Sequence, residues 1–328
     1  MSVEVLDPRR DPEPAYWGAL RRRAGLRADW AWPVLAAQAW GTRGRLLVSV
    51  LHGSGGPVGV VAATWAGLPA RRHSFAGVRG GPWVGGLHVR SPGNQSHPGW
   101  WCAEGLGLRE LVAEYATGMR RELGRRCVGM LLRQVGDADL AELGRPRVAR
   151  PTEPVWVLDT AGWRDREDWF RALRRSRRSN LRAVLRLADA DVRTWVGGGP
   201  DPARVAELLR HNDGKYGGRW VPPAPQLTGY VGALIGQPDV ATTTYTDRRS
   251  GQLLGVGIIL DHPEWPVGRT WAGVPGARYL YFHNYISMVD YAVAGRKPGL
   301  VLGKGKAEVK STLGARPVTQ LAVALPSW

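Results

Sequence analysis

The 328-residue chain has 45 Lys and Arg against 28 Asp and Glu, a formal net charge of +17, and 44% hydrophobic residues. That length suits one large or two ordinary domains, and the charge calls for an anionic partner: nucleic acid, anionic lipid or a phosphorylated ligand. There is no run of 18 apolar residues, Met1–Arg10 lacks an apolar signal core, and Cys102 and Cys127 are the only cysteines, so a membrane span, a disulfide framework and a metal-ligand spacing are all excluded and a cytoplasmic, metal-free protein is expected.

Only the first dozen residues read as disordered. Arg45–Leu51 and Val58–Trp65 alternate as strands do, joined by the turn at Gly53–Pro57, and Pro82–Val89 is a further extended stretch. Leu108, Leu111, Val112, Tyr115 and Met119 recur at helical spacing within a helix predicted over Leu106–Leu123 and stopped by Gly124. A strand at Cys127–Val135, a short helix at Ala138–Leu143 and a strand at Arg147–Ala149 follow. The second half repeats this layout: a strand at Val155–Asp159, a long helix over Asp165–Asp189, a strand at Asp191–Val196, and helices at Pro202–His211 and Leu227–Gly236. Strands are then expected at Ala241–Thr246, Leu253–Leu260 and Arg269–Gly273, a helix at Arg278–Gly295, and strands at Leu300–Leu302 and Thr319–Ala324. Hairpin strands, a third strand, a glycine-rich connection, a helix and a strand occur in both halves. The reading is an α/β chain of tandem units, 1–150 and 151–328, each a mixed twisted sheet flanked by helices.

Three stretches carry chemistry. The first is arginine-rich: Arg171, Arg174, Arg175, Arg177, Arg178, Arg182 and Arg186 fall within sixteen residues that contain no acid, and all but Arg177 share one helical face. Like charges at this density repel unless an anion neutralises them, so phosphate-backbone binding is expected ahead of a solvated face or a peripheral membrane helix. The second is the helix beginning at Arg278, whose first amides could hold an anion. His283, Ser287 and Asp290 lie at i, i+4 and i+7 on a face away from the Phe282–Ile286–Val289–Val293 core stripe, with Asn284 and Tyr291 beside them. A serine in a helix body lacks the exposed turn a hydrolase nucleophile needs, so no hydrolytic triad is read here. The third is a lysine cluster. Arginine outnumbers lysine by 40 to 5, yet Lys297, Lys304, Lys306 and Lys310 fall within fourteen residues, in a Gly-Lys-Gly context that suits point charges on a phosphate or oxyanion.

The order of these features resembles the Fem-type (FemAB-like) branch of the GNAT acyltransferase superfamily. The elements that carry the likeness are the basic helix with Arg177-Arg178-x-x-x-Arg182, the hairpin, a strand ending in Ala272-Gly273, the aromatic helix, and Gly303-Lys304-Gly305-x-x-x-x-Lys310-x-x-x-Gly314 before a terminal strand. The likeness is best over Arg164–Val323. It implies an aminoacyl-tRNA co-substrate with no other cofactor, an amine-type small-molecule acceptor, and amide formation, as in the tRNA-dependent transferases of natural-product pathways. By that resemblance Lys306 and Lys310 would contact the oxyanion or the tRNA 3′ phosphate. His283, Asp290 and Tyr285 would orient or deprotonate the acceptor, and Asn284, Lys304, Asp213, Lys215 and Tyr216 would line the substrate pocket. The arginine helix would hold tRNA phosphates. The sequence lacks a clean acetyl-CoA loop and any long coiled-coil insertion. An acyl-CoA-dependent N-acyltransferase, a peptidoglycan-bridge transferase and a non-enzymatic RNA-binding protein are the alternatives.

Overall fold

The polar N-terminus is ordered. It forms strand β1 (Ser2–Leu6), which pairs antiparallel with β2 (Arg45–Gly53) so that Val3 meets Leu51 and Val5 meets Ser49. Tertiary pairing overrides a segment too short and too charged to be recognised alone. The computed structural model describes residues 1–42, 44–68, 84–144, 148–197, 199–214 and 226–326. Between β1 and β2 lie helices α1 (Trp17–Arg23) and α2 (Trp32–Gly41), which sequence periodicity did not reveal. They bury Trp17, Leu20, Trp32 and Leu35 against one face of the sheet. Strands β3 (Gly56–Leu68), β4 (Val84–Val89) and β5 (Trp100–Cys102), helix α3 (Leu108–Leu123), β6 (Cys127–Val135), α4 (Asp137–Leu143) and β7 (Val148–Pro151) follow. The apolar stripe of α3, with Leu111, Tyr115 and Met119, packs on the other face, against Leu47, Val61, Leu87, Val89, Met130 and Leu132.

The second region contains β8 (Val155–Asp159), α5 (Arg166–Ala172), α6 (Arg175–Asp191), β9 (Val192–Val196), α7 (Pro202–Gly214), α8 (Thr228–Ile235), β10 (Val240–Asp247), β11 (Leu253–Leu260), β12 (Val267–Gly273), α9 (Arg278–Ala294), β13 (Gly299–Gly303), α10 (Ala307–Thr312) and β14 (Arg316–Val318), before the last strand, β15 (Leu321–Pro326). The single helix expected over Asp165–Asp189 is broken. Leu173 and Arg174 are extended, and Leu173 is buried in the core beside Trp169, Phe170 and Leu313. Neither Gly nor Pro marks the break. Burying a leucine is worth about 2 kcal/mol, enough to offset the one or two helical hydrogen bonds given up at about 1 kcal/mol each. Asp165 caps α5 by accepting from the amides of Glu167 and Asp168.

Among the described residues there are two mixed sheets. The eight-stranded sheet runs β1-β2-β3-β4-β6-β15-β7, with β5 pairing β3; the seven-stranded sheet runs β14-β8-β13-β12-β11-β10-β9. The chain divides into two compact units, Met1–Pro154 with Thr319–Trp328, and Val155–Val318. Assigning 151–328 wholly to the second unit therefore needs correcting at its end. Strand β15 returns to the first sheet, where Val323 pairs with Leu132 on one side and Ala149 on the other. It fills the gap between β6 and β7 and covers ladder groups that would otherwise be left at two edges.

Candidate active site

Each sheet contains one parallel pair, and the two differ. In the first sheet β4 and β6 pair along β4 from Gly85 to Val89. In the second, β12 and β13 share the single pair Val267–Val301, supported by the Val301 amide donating to the Pro266 carbonyl at 2.9 Å. Beyond that pair the strands part. Their C-terminal ends, Thr270–Gly273 and Leu302–Gly303, meet the start of α9 on one side and the lysine segment on the other. The first-turn amides of α9 receive no side-chain cap. An opening between parted strands beside the start of a helix suits an acyl carbonyl or an anion.

Lys310 does not project into this opening as a free charge. It is buried, 2% exposed, and its Nζ donates to the carbonyls of Gly303 at 2.9 Å and Lys304 at 2.7 Å. It therefore pins the end of β13, a positioning role in place of the expected contact with reacting atoms. Lys306 is exposed and precedes α10 with φ 54, a left-handed conformation unusual for a lysine. Lys304 is half-buried beside it.

The polar face of α9 lines an open cleft of about 720 Å³ whose other walls come from α5, α6 and β9. Inside it, His283 Nδ1 lies 3.1 Å from the Tyr245 hydroxyl and 3.3 Å from Ser287 Oγ, and the two oxygens are 3.3 Å apart. Burial lowers His283 to about 4, so the ring is neutral at physiological pH; Asp189 raises it and Arg166 lowers it further. Burial pushes the Tyr245 phenol well up, so it keeps its proton and can donate it to Nδ1. Asp290 is gripped by Arg166 through two bonds, Nη2 to Oδ2 at 2.6 Å and Nε to Oδ1 at 2.9 Å. Burial still raises its pKa, against the lowering pull of that guanidinium. At the far end Lys297 Nζ pairs with Asp261 at 3.1 Å and donates to the His262 carbonyl at 2.9 Å. Asp189, exposed on α6, lines the cleft with no partner among the described residues.

The structure thus brings His283 and Asp290 together with Ser287 and separates other candidates from them. Tyr285 is buried in the core, its hydroxyl 2.8 Å from Tyr281; burial, together with Tyr281, pushes its phenol far up, so it is no base and does not line the cleft. Asn284 is buried against Gly257, where a Cβ would fall 1.8 Å from Asn284 Oδ1, and its Nδ2 meets Met288 Sδ. Asp213, at the end of α7, accepts from Gln226 and is not part of the lining. Lys215 and Tyr216 lie outside the described residues. Among the described residues no three His, Cys, Asp or Glu side chains gather as a metal ion needs. Sequence reasoning missed Arg166, Asp189, Asp261 and Tyr245. Arg166 and Asp189 flank the arginine run, and Tyr245 alternates into a threonine-rich strand, so none stood out by type or spacing.

The arginines divide likewise. Arg171 pairs with Asp168, Arg182 pairs with Glu167 at 2.6 Å, and the Arg177 guanidinium lies 5.1 Å from the Phe282 ring centroid. The acids of α5 thus answer part of a run that looked unopposed in sequence. Arg174, Arg175, Arg178 and Arg186 have no acidic partner among the described residues, and all but the half-buried Arg178 are exposed. No described helix is long and apolar enough to cross a membrane.

No protein-family model matches the chain, and no curated protein does. Solved structures do. FemX is 10% identical over 88% of this chain and 90% of its own, with a TM-score of 0.61. L-PGS from Bacillus licheniformis is 11% identical over 95% and 92%, with a TM-score of 0.61. A tandem GNAT protein from the clavulanic acid biosynthesis pathway is 12% identical over 100% and 99%, with a TM-score of 0.50. At these identities the likeness is one of fold: the chain is a mixed α/β protein with the tandem GNAT-like architecture of these neighbours.

Proposed function

We propose that the chain is an acyltransferase that moves an aminoacyl group from tRNA to the amine of a small molecule and forms an amide. The observation that carries this reading is the parted β12–β13 junction, with uncapped α9 amides and exposed Lys306 at its mouth and the cleft along the same helix. Fold likeness to FemX agrees with the Fem-type resemblance in the sequence, and likeness to a clavulanic acid pathway protein agrees with a natural-product acceptor.

An aminoacyl ester is already activated, so alignment and oxyanion stabilisation suffice. The acceptor nitrogen attacks the ester carbonyl, the C–N bond forms, and the tetrahedral intermediate expels the ribose oxygen. That oxygen leaves with the proton the nitrogen releases. Lys306 and the strand-end amides stabilise the oxyanion, while Lys310 holds the β13 end that presents them. A histidine this far below its ordinary value is a weak proton acceptor, so His283 orients the acceptor by hydrogen bonding. Asp189 attracts the acceptor while it is still an ammonium, and the ammonium gives one proton to water before its nitrogen attacks; Asp290, held by Arg166, helps shape the cleft. Arg174, Arg175, Arg178 and Arg186 hold tRNA phosphates, and Trp195, 66% exposed on β9, offers a ring to a base.

Filter binding of charged and uncharged tRNA at low and high salt tests the donor. Salt-sensitive binding that prefers one charged species supports the reading; no tRNA binding at low salt overturns it. An acyl-CoA donor is the second reading, favoured by the likeness to the clavulanic acid pathway protein, a tandem GNAT protein whose matched structure is the one without AcCoA. Its binding would depend only mildly on salt.

A further inference from the structure

The first unit holds a second group of cations that the transfer reaction does not use. Val89–Leu132 is the last pair of the parallel β4–β6 ladder, so the next residues, Arg90 and Arg133, follow it on neighbouring strands. Leu87, Val89, Met130 and Leu132 face the α3 core, so alternation turns His88, Arg90 and Arg133 to the opposite face. Both arginines are half-buried, and neither has an acidic partner among the described residues. The carboxylate on the adjoining turn, Asp29, accepts from the Ser91 hydroxyl at 3.1 Å.

Three further observations point to a missing ligand. Asn94 and Gln134, 6% and 5% exposed, each bury a side-chain polar atom without a hydrogen-bond partner among the described residues, Nδ2 and Oε1, and His88 does the same with Nε2. Such orphans are uncommon, and three of them within four residues of Arg90 or Arg133 in the chain call for an explanation. Gln134 also has φ 62, at the place where the pairing of β6 with β15 shifts register. Strained bulge residues concentrate at binding sites. Burial lowers Arg90, and Arg133 lowers it further; burial first, then Arg90 and Arg133, lower His88 to about 4. The three groups therefore sense one another's charge, and the histidine stays neutral.

We propose that Arg90 and Arg133 form a phosphate-binding site in the first unit, with Asn94 donating to the same ligand. Two guanidiniums on neighbouring strands, near enough for Arg133 to lower Arg90, match a dianion better than a monoanionic carboxylate. The site lies in a different unit from the transfer machinery and stands or falls independently of it.

The test is thermal unfolding and calorimetric titration of the full chain with inorganic phosphate, with glycerol phosphate, and with acetate and chloride at matched ionic strength. Phosphate should bind saturably and raise the midpoint above the chloride control. Glycerol phosphate matching or exceeding it would mark a phosphorylated metabolite as the source. Arg133→Gln, half-exposed and therefore tolerable, should weaken phosphate binding at least tenfold. It should also raise the phosphate-free midpoint, because it removes like-charge repulsion that no structural role would supply. Arg90→Gln should behave in the same way. Acetate binding as tightly as phosphate, phosphate binding unchanged in both variants, or no phosphate effect beyond chloride would each overturn the proposal.

Discussion

The two parallel junctions use the same strand arrangement to opposite ends. Between β4 and β6 the backbones close along the shared length, helped by a glycine: a Cβ on Gly86 would fall 3.0 Å from the Gly129 carbonyl oxygen, while on the other side of β6 a Cβ on Gly129 would fall 2.7 Å from the Leu325 carbonyl oxygen of β15. Between β12 and β13 one pair forms and the strands part, and the end of β13 gives two carbonyls to Lys310. A closed junction ends in paired arginines fit to hold an anion from outside. An open one, on the proposed reading, is where the reacting group enters. Topology alone does not decide which parallel junction opens; the length of the ladder does.

The largest expected effect lies at the open junction. Lys306→Ala should lower turnover by about tenfold to a thousandfold and leave the unfolding midpoint unchanged; steady-state kinetics beside calorimetry would show the split, and unchanged turnover would remove Lys306 from the site. Lys310→Ala should do the reverse in stability, because each carbonyl it leaves without a donor costs about 1–3 kcal/mol; a fully stable variant would contradict the clamp. Where β6 of the closed junction meets β15, Gly129→Ala should destabilise the first unit by about 1–3 kcal/mol through overpacking against the Leu325 carbonyl, read as a shifted denaturant midpoint. Transfer per folded molecule should not change.

Smaller effects sharpen the same contrast. Replacing Arg174, Arg175 and Arg178 with Gln should reduce the salt slope of tRNA binding by about 0.7–0.9 for each phosphate that is no longer neutralised, without touching phosphate binding at Arg90. Acidity should act on both units. His88 and His283 both titrate at about 4 when folded and near 6.5 when unfolded. The unfolded chain therefore binds more protons between those values, and stability, fully present above about 6.5, falls as pH drops toward 4. His283→Asn should flatten that slope by up to one proton. An unaltered slope would mean the ring is not buried neutral.

Much of this was legible in the chain. The strands at Val58–Trp65 and Leu253–Leu260, buried on both faces, show as short apolar runs, while the period of α3 and the polar face of α9 come from local side-chain spacing, which survives folding because a helix buries one face. His283, Ser287 and Asp290 were visible as a cleft face for the same reason. The lysine cluster was visible as a group, but its division was not. Lys310 is buried on two carbonyls, Lys297 turns to Asp261, and Lys306 is left exposed. All three belong to one basic, glycine-rich stretch, and only the path of β13 and α10 separates them.

The sequence by itself determined the kinds of elements, their order, the basic charge and the two-unit layout, since propensity, periodicity and composition are local or additive. Tertiary structure alone decided the break at Leu173, the return of β15 to the first sheet, the acids of α5 that answer Arg171 and Arg182, and the closing of one parallel junction while the other stays open. Each of these depends on which distant backbone or side chain arrives alongside, and competing local preferences of about 1 kcal/mol are too small to foretell it.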